Sequence, residues 1–169
     1  MQTSRGVAEP GHSPREREPR NIILDLGSKF DPPIRENFEL VKFVRSARPI
    51  YTNALVNYKL SRGLENEVGL HAGSHLIFVN NEATAVPQRL VLFGDSLAEY
   101  RDHLLTGMLA ETFRELHFIW SSDIDWGYVE RVRPDILVTE VAERFMRRVP
   151  QDNFDLDAYV VKKLAALID

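Results

Sequence analysis

At 169 residues, with 44% hydrophobic and 27% charged side chains, the chain has the composition of one globular domain with its own core. A net charge of −4 offers no basic stripe to a nucleic acid, and no apolar run approaches the roughly 20 residues of a membrane span. There is no cysteine, which excludes disulfides and thiolate metal sites. Residues 1–20 contain no apolar signal core, so the chain as it stands reads as cytoplasmic.

Residues 1–20 are rich in Pro, Gly, Ser, Arg and Glu and hold little to bury, which predicts a disordered N-terminal arm ahead of a domain spanning residues 21–169. The domain opens on a short strand, residues 21–26 (NIILDL). After Asp31-Pro32-Pro33, the spacing of Phe38, Val41 and Val44 predicts a helix over 35–45. A short strand at 49–52 precedes a helix over 53–62 that stops at Gly63. Residues 75–80 (HLIFVN) read as a β-branched and aromatic strand.

The second half is more regular. Residues 90–93 (LVLF) form a continuous apolar run closed by Gly94, the pattern of a central parallel strand. A helix is expected from Ser96 to about Arg114, with Leu97, Leu104, Leu105, Met108 and Phe113 inward. A strand at 116–120, a short helix at 125–133, a strand at 136–139, a helix at 142–148 and a last amphipathic helix at 156–168 follow. This alternation predicts an α/β fold, three layers with a flavodoxin-like parallel sheet between flanking helices.

In open α/β sheets ligands bind beyond the carboxyl ends of the strands. The polar residues expected there are Asn80 and Asn81, Ser96, Ser121 to Asp123, and Glu140, converging on one rim from distant parts of the chain. A serine in a sharp strand-to-helix turn, with an unpaired backbone N–H beside it, supplies a nucleophile and the start of an oxyanion hole. The same three residues, Gly94-Asp95-Ser96, also suit a plain turn and helix cap.

The block LVLFGDS resembles the nucleophile block of SGNH-type hydrolases. The longer pattern LVLFGDSLAEY, LAETFRELHFIWS and VRPDILVTEVAERF resembles the SGNH-like domain of the alginate O-acetyltransferase family, with its Pro-Asp-apolar strand (Pro134 to Val138) and Glu-x-x-Glu-Arg block (Glu140, Glu143, Arg144). The match runs from about Asp25 to Asp155. It implies an SGNH hydrolase-like domain carrying out acetyl transfer or ester hydrolysis on a bacterial exopolysaccharide through Ser96. The partners it implies are a carbohydrate polymer or acetyl donor and a partner subunit of a polysaccharide-modification system, with no cofactor.

In that family the base and its orienting acid come from an upstream Asp-x-His motif. No Asp-x-His occurs in these 169 residues, and the last histidine is His117. The resemblance therefore implies a domain shortened at its N-terminus and weak or inactive as this chain, or a non-catalytic carbohydrate-binding or interaction remnant of the same fold. A natural start further upstream would make the protein extracytoplasmic.

Among the other histidines, His103 would sit about 10 Å along a helix from Ser96, His117 would open a strand at the far edge, and His12 lies in the arm. His71 and His75 have the spacing of a metal pair, but two flanking glycines argue for a loop and no metal site is expected. His71 is left as the in-chain candidate base. Asp95 reads as a turn residue that bonds local backbone N–H groups. Arg144 suits a substrate carboxylate, and Tyr100, Trp120, Trp126 and Tyr128 suit sugar stacking, with core packing accounting for Trp120 equally well. A phosphate-binding reading of the Ser96 turn is disfavoured because only Gly94 is present there.

Overall fold

The computed structural model describes residues 16–23, 29–42, 45–67, 69–101 and 104–168. The chain divides into two compact units, Met1–Val44 and Arg45–Asp169. In the first, β1 (Glu16–Ile22) pairs antiparallel with β2 (Glu36–Lys42), Glu16 opposite Lys42 and Ile22 opposite Glu36. Residues 16–20 of the expected arm therefore lie in a strand, and residues 1–15 fall outside the described residues. The helix expected over 35–45 is also replaced by β2. Phe38 and Leu40 alternate with Asn37 and Glu39, and a pairing partner in β1 turns that period of two into a strand.

The second unit carries a five-stranded sheet in the order β3-β4-β6-β5-β7. Its strands are β3 (Arg48–Thr52), β4 (His75–Val79), β5 (Val86–Gly94), β6 (Phe113–Trp120) and β7 (Ile136–Thr139). β5 is parallel to both of its neighbours, with Leu92 opposite Phe118 of β6 and Val138 of β7. β4 runs antiparallel to β6 and to β3. The fold is thus α/β with helices flanking the sheet, as expected, but the sheet is mixed rather than parallel.

From Leu90 to Gly94 β5 is buried on both faces, which is why LVLF is apolar without alternation. Leu90 and Leu92 point into one core with Leu76, Phe78, Leu116 and Phe118, closed by Ala110 of α2 (Leu105–Thr112). Val91 and Phe93 point into the other with Ile119, Tyr128 of α3 (Trp126–Val132), and Leu156 and Val160 of α4 (Leu156–Ile168). Each of these sealed aliphatic or aromatic side chains contributes about 1.5–3 kcal/mol by leaving water. α1 (Ala54–Arg62) starts on the Asn53 cap, whose side chain accepts from the Val56 N–H, and ends at Gly63 in the left-handed region, as expected. No helix among the described residues is long and apolar enough to cross a membrane.

Two expected helices are shorter. α2 begins at Leu105, not Ser96, because side chains capture the backbone of the preceding turn. Asp95 Oδ1 accepts the Leu97 N–H at 2.9 Å, and the Thr106 hydroxyl donates to the Ala98 carbonyl. Leu97 and Met108, expected inward, are exposed. The helix expected over 142–148 is a single 3-10 turn, Glu143–Phe145.

Candidate active site at the carboxyl edge of the sheet

Where β5 ends, Gly94 is required by close packing. A Cβ there would meet the Ala98 Cβ at 2.5 Å and a Glu140 carboxylate oxygen at 3.3 Å. The space denied to a side chain lets three turns converge. The Asp95 N–H donates to Glu140 Oε2 at 3.1 Å, the Ala142 N–H donates to Asp95 Oδ2 at 2.7 Å, and the Glu140 N–H donates to the Phe93 carbonyl at 2.8 Å. Asp95 is buried and fully used by backbone donors, a turn-forming role. Burial pushes the Glu140 carboxyl above its ordinary range, and the Asp95 charge adds to this.

Ser96 sits on this rim, half-buried, and Arg144 Nη2 donates to its hydroxyl oxygen at 3.3 Å. Ser96, Glu140 and Arg144 are therefore brought together. The Ser121 N–H donates to the Gly94 carbonyl at 3.1 Å, which sets the end of β6 beside them. Asp123 follows on the same edge, accepting the Gln151 N–H at 2.9 Å and the Arg148 guanidinium, and the Ser121 hydroxyl accepts its own N–H at 2.9 Å. Asp123 is buried and committed to shaping this loop.

Asn80 and Asn81 are not at this rim. Because β4 runs antiparallel to β6, its carboxyl end lies at the opposite edge, where the Asn80 N–H donates to the Arg114 carbonyl at 3.0 Å. Six residues of β6 separate Arg114 from Trp120, about 20 Å of strand. Asn80 there binds the Glu111 carbonyl at 2.9 Å and the Glu82 N–H at 3.0 Å, a local turn lock.

No histidine hydrogen-bonds Ser96 among the described residues. His117 lies well inside β6 rather than opening it, buried, and joins His75 through Tyr128. The Tyr128 hydroxyl is 2.5 Å from His117 Nδ1 and 2.9 Å from His75 Nε2, while His117 Nε2 is 2.6 Å from Glu115 Oε1. Hydrogen bonds from Arg89 and His117 hold the Glu115 carboxyl below its ordinary range against the desolvation that opposes them, so it is an acceptor. His117 then carries its proton on Nε2, Tyr128 donates to the bare Nδ1, and His75 donates from Nε2 to the phenol oxygen. Burial holds both imidazoles neutral, His75 at about 3 and His117 below its ordinary value. Both ring nitrogens of His117 and the Tyr128 hydroxyl are bonded in this relay, and His75 joins it through Nε2. His12 and His103 lie outside the described residues.

His71 stacks on Trp120 at 4.6 Å, and Tyr100 lies under Lys59, whose ammonium is 5.5 Å from the ring centroid. Neither makes a hydrogen bond to Ser96 among the described residues. Lys59 and Ser74, both sealed from solvent and bonded Nζ to Oγ at 2.8 Å, were not singled out by sequence reasoning. The available signal was Lys59 falling on the apolar stripe of α1 with Leu55 and Val56. Of the expected stacking residues, Tyr128 belongs to the core and Trp126 is exposed.

No protein-family model and no curated protein matches the chain. Among solved structures, two of PatB1 from Bacillus cereus are similar to part of it. One, with a sulfonyl adduct, is 12% identical over 42% of this chain and 24% of its own. The other is 13% identical over 42% of this chain and 23% of its own. Both superpose with a TM-score of 0.34, and the chain spans about a quarter of the length of these structures.

Proposed function

We propose that the protein is an SGNH-like domain that handles acyl esters of a carbohydrate polymer, with Ser96 in the nucleophile position and turnover limited because no described residue serves it as a base. The reading rests on the placement of Ser96. Its hydroxyl accepts from Arg144 at the carboxyl edge of the sheet, and its own N–H has no acceptor among the described residues. That N–H is the oxyanion donor, and the guanidinium adds positive charge where negative charge would develop. A serine hydroxyl also needs a base to take its proton. In serine hydrolases, losing the histidine costs about 10⁶ in kcat, and binding plus oxyanion donors leave about 10³–10⁴ over water. Here no imidazole bonds Ser96 among the described residues, and His75 and His117 are each bonded to the Tyr128 hydroxyl.

The same observation supports a second reading, a non-catalytic domain that keeps the rim to bind acylated sugar. Hydrolysis of p-nitrophenyl acetate by wild type, Ser96→Ala and His71→Ala separates the two. The slow-enzyme reading expects weak turnover that is lost in Ser96→Ala and kept in His71→Ala. A rate unchanged by Ser96→Ala leaves only the binding reading. Robust wild-type turnover lost in both variants would make His71 the base and overturn the limitation proposed here.

A further inference from the structure

Lys59 is an ammonium with no solvent exposure on the apolar stripe of α1. A buried charge of this kind persists only where other groups answer it. The hydroxyl of Ser74 accepts one of its three protons at 2.8 Å, and no other described group hydrogen-bonds it. Two further polar atoms nearby are also buried and lack partners, His71 Nδ1 and the Tyr100 hydroxyl.

A chain of contacts makes these groups neighbours. Lys59 lies over the face of Tyr100 at 5.5 Å. His71 and Ser74 belong to one turn, closed by the Ser74 N–H on the His71 carbonyl at 2.9 Å. The Trp120 ring, stacked at 4.6 Å and 15°, fixes the plane of the imidazole. Lys163 of α4 donates to the Ala72 carbonyl in the same turn at 2.8 Å. Lys59 and Ser74 are sealed, while His71, Tyr100 and Lys163 keep part of their surface in solvent.

What these groups have in common is that they donate. Lys59 has two N–H donors left, Tyr100 has an O–H, and a neutral imidazole places its single proton on whichever nitrogen finds an acceptor. Burial, with Lys59, Arg101 and Lys163 beside it, holds His71 at about 4, so it is neutral near pH 7. The buried Glu99 carboxylate pairs with Arg101 at 2.9 Å, and Glu99 and Glu65 also attract Lys59 through space without a hydrogen bond to it. Cations and unanswered donors therefore outnumber acceptors.

We propose that this cluster is a binding site for a small oxyanion, a carboxylate or phosphate group, received by Lys59 Nζ, His71 Nδ1 and the Tyr100 hydroxyl. It is separate from the Ser96 chemistry. The oxyanion brings several lone pairs to N–H and O–H donors that lack hydrogen-bond acceptors, and its charge adds to the partial balance that Glu99 and Glu65 give the ammonium.

The test uses the full chain with inorganic phosphate or acetate as probes and chloride at matched ionic strength as control. Thermal unfolding and the NMR signals of the His71 ring are followed through each titration. Saturable stabilisation and a saturable His71 shift by one of the two probes are expected, phosphate alone marking a phosphate site and acetate alone a carboxylate site. Tyr100→Phe should weaken the affinity about tenfold by deleting one bond to a charged acceptor, and Lys59→Met should abolish it. Ser96→Ala should leave it unchanged, which keeps this inference independent of the function proposed above. Absence of saturation with both anions at tens of millimolar, or a response equal to that of chloride, would overturn the proposal and leave a cluster that binds water. Saturation undiminished in Tyr100→Phe, which keeps the ring and the fold, would overturn it as well.

Discussion

Acid should destabilise this protein well above the pH at which its carboxylates protonate, and His75 supplies a magnitude. Its side chain is 5% exposed and its imidazole is held at about 3 by burial, reinforced by His117 and Arg131. In the unfolded chain a histidine titrates near 6.5. A folded-state pKa below the unfolded one means that stability is complete above about pH 6.5 and declines as the pH falls, because the unfolded chain takes up a proton that the folded chain refuses. The slope for one such group is about 1.4 kcal/mol per pH unit. Between pH 7 and pH 5, His75 alone withdraws about 2 kcal/mol, against a total stability of about 5–15 kcal/mol for an ordinary domain. His117, also held below its ordinary value, acts in the same direction. The assay is urea unfolding at pH 7, 6 and 5 for wild type and His75→Gln. Glutamine does not titrate and keeps an N–H for the Tyr128 oxygen. The variant should lose about 2 kcal/mol less than wild type between pH 7 and 5. Equal losses in the two proteins would refute the reasoning, as would a protonated His75 ring in NMR spectra at pH 6.

Other outcomes follow from single contacts. Gly94→Ala should lower stability by about 2 kcal/mol, or roughly 4–8 °C in thermal unfolding, because its Cβ would press on the Ala98 Cβ at 2.5 Å. Asp125→Ala should cost about 2 kcal/mol in urea unfolding, since one buried carboxylate caps two helices, taking the Tyr128 N–H at 2.7 Å and the Leu156 N–H at 2.9 Å. Glu140→Gln keeps an acceptor for the Asp95 N–H and removes a charge from a group that burial has pushed up. Its stability relative to wild type should therefore rise as the pH climbs from 4 to 7, read from paired unfolding curves.

The central strands and the last helix were legible because their patterns admit one reading. A run such as LVLF between glycine and polar residues fits a strand buried on both faces, and α4 occupies the residues its periodicity marks. The direction of β4 was misread as parallel, although a signal of a different kind pointed the other way. Only residues 80–85 separate β4 from β5, whereas a parallel crossover needs about a dozen residues or more. Loop length thus excluded the parallel arrangement that the strand alternation suggested. The start of α2 was not legible, because it depends on Thr106 reaching back to the Ala98 carbonyl, a tertiary contact with no local pattern. Likewise Phe38, Val41 and Val44 fit a helix until β1 supplies a partner for β2.

The reversed β4 also decides which residues lie at the edge that carries Ser96. It brings the beginning of that strand, with the turn from His71 to Ser74, to the edge where β5, β6 and β7 end. The Gly73 N–H donates to the Trp120 carbonyl at 2.8 Å, and the Ser121 N–H to the Gly94 carbonyl at 3.1 Å. Two strand spacings, about 10 Å, therefore separate the His71 turn from the Ser96 turn. Proximity alone would keep His71 in view as a base, and its electrostatics argue against it. Taking a proton from Ser96 would create an imidazolium beside Lys59, Arg101 and Lys163, the cations that with burial already hold His71 at about 4. A base of that strength is poorly matched to a serine proton at neutral pH. The cations that motivate the anion site proposed at Lys59 are the same ones that argue against its histidine as a general base, so on the proposed reading of Ser96 its activation would need a group beyond the residues described.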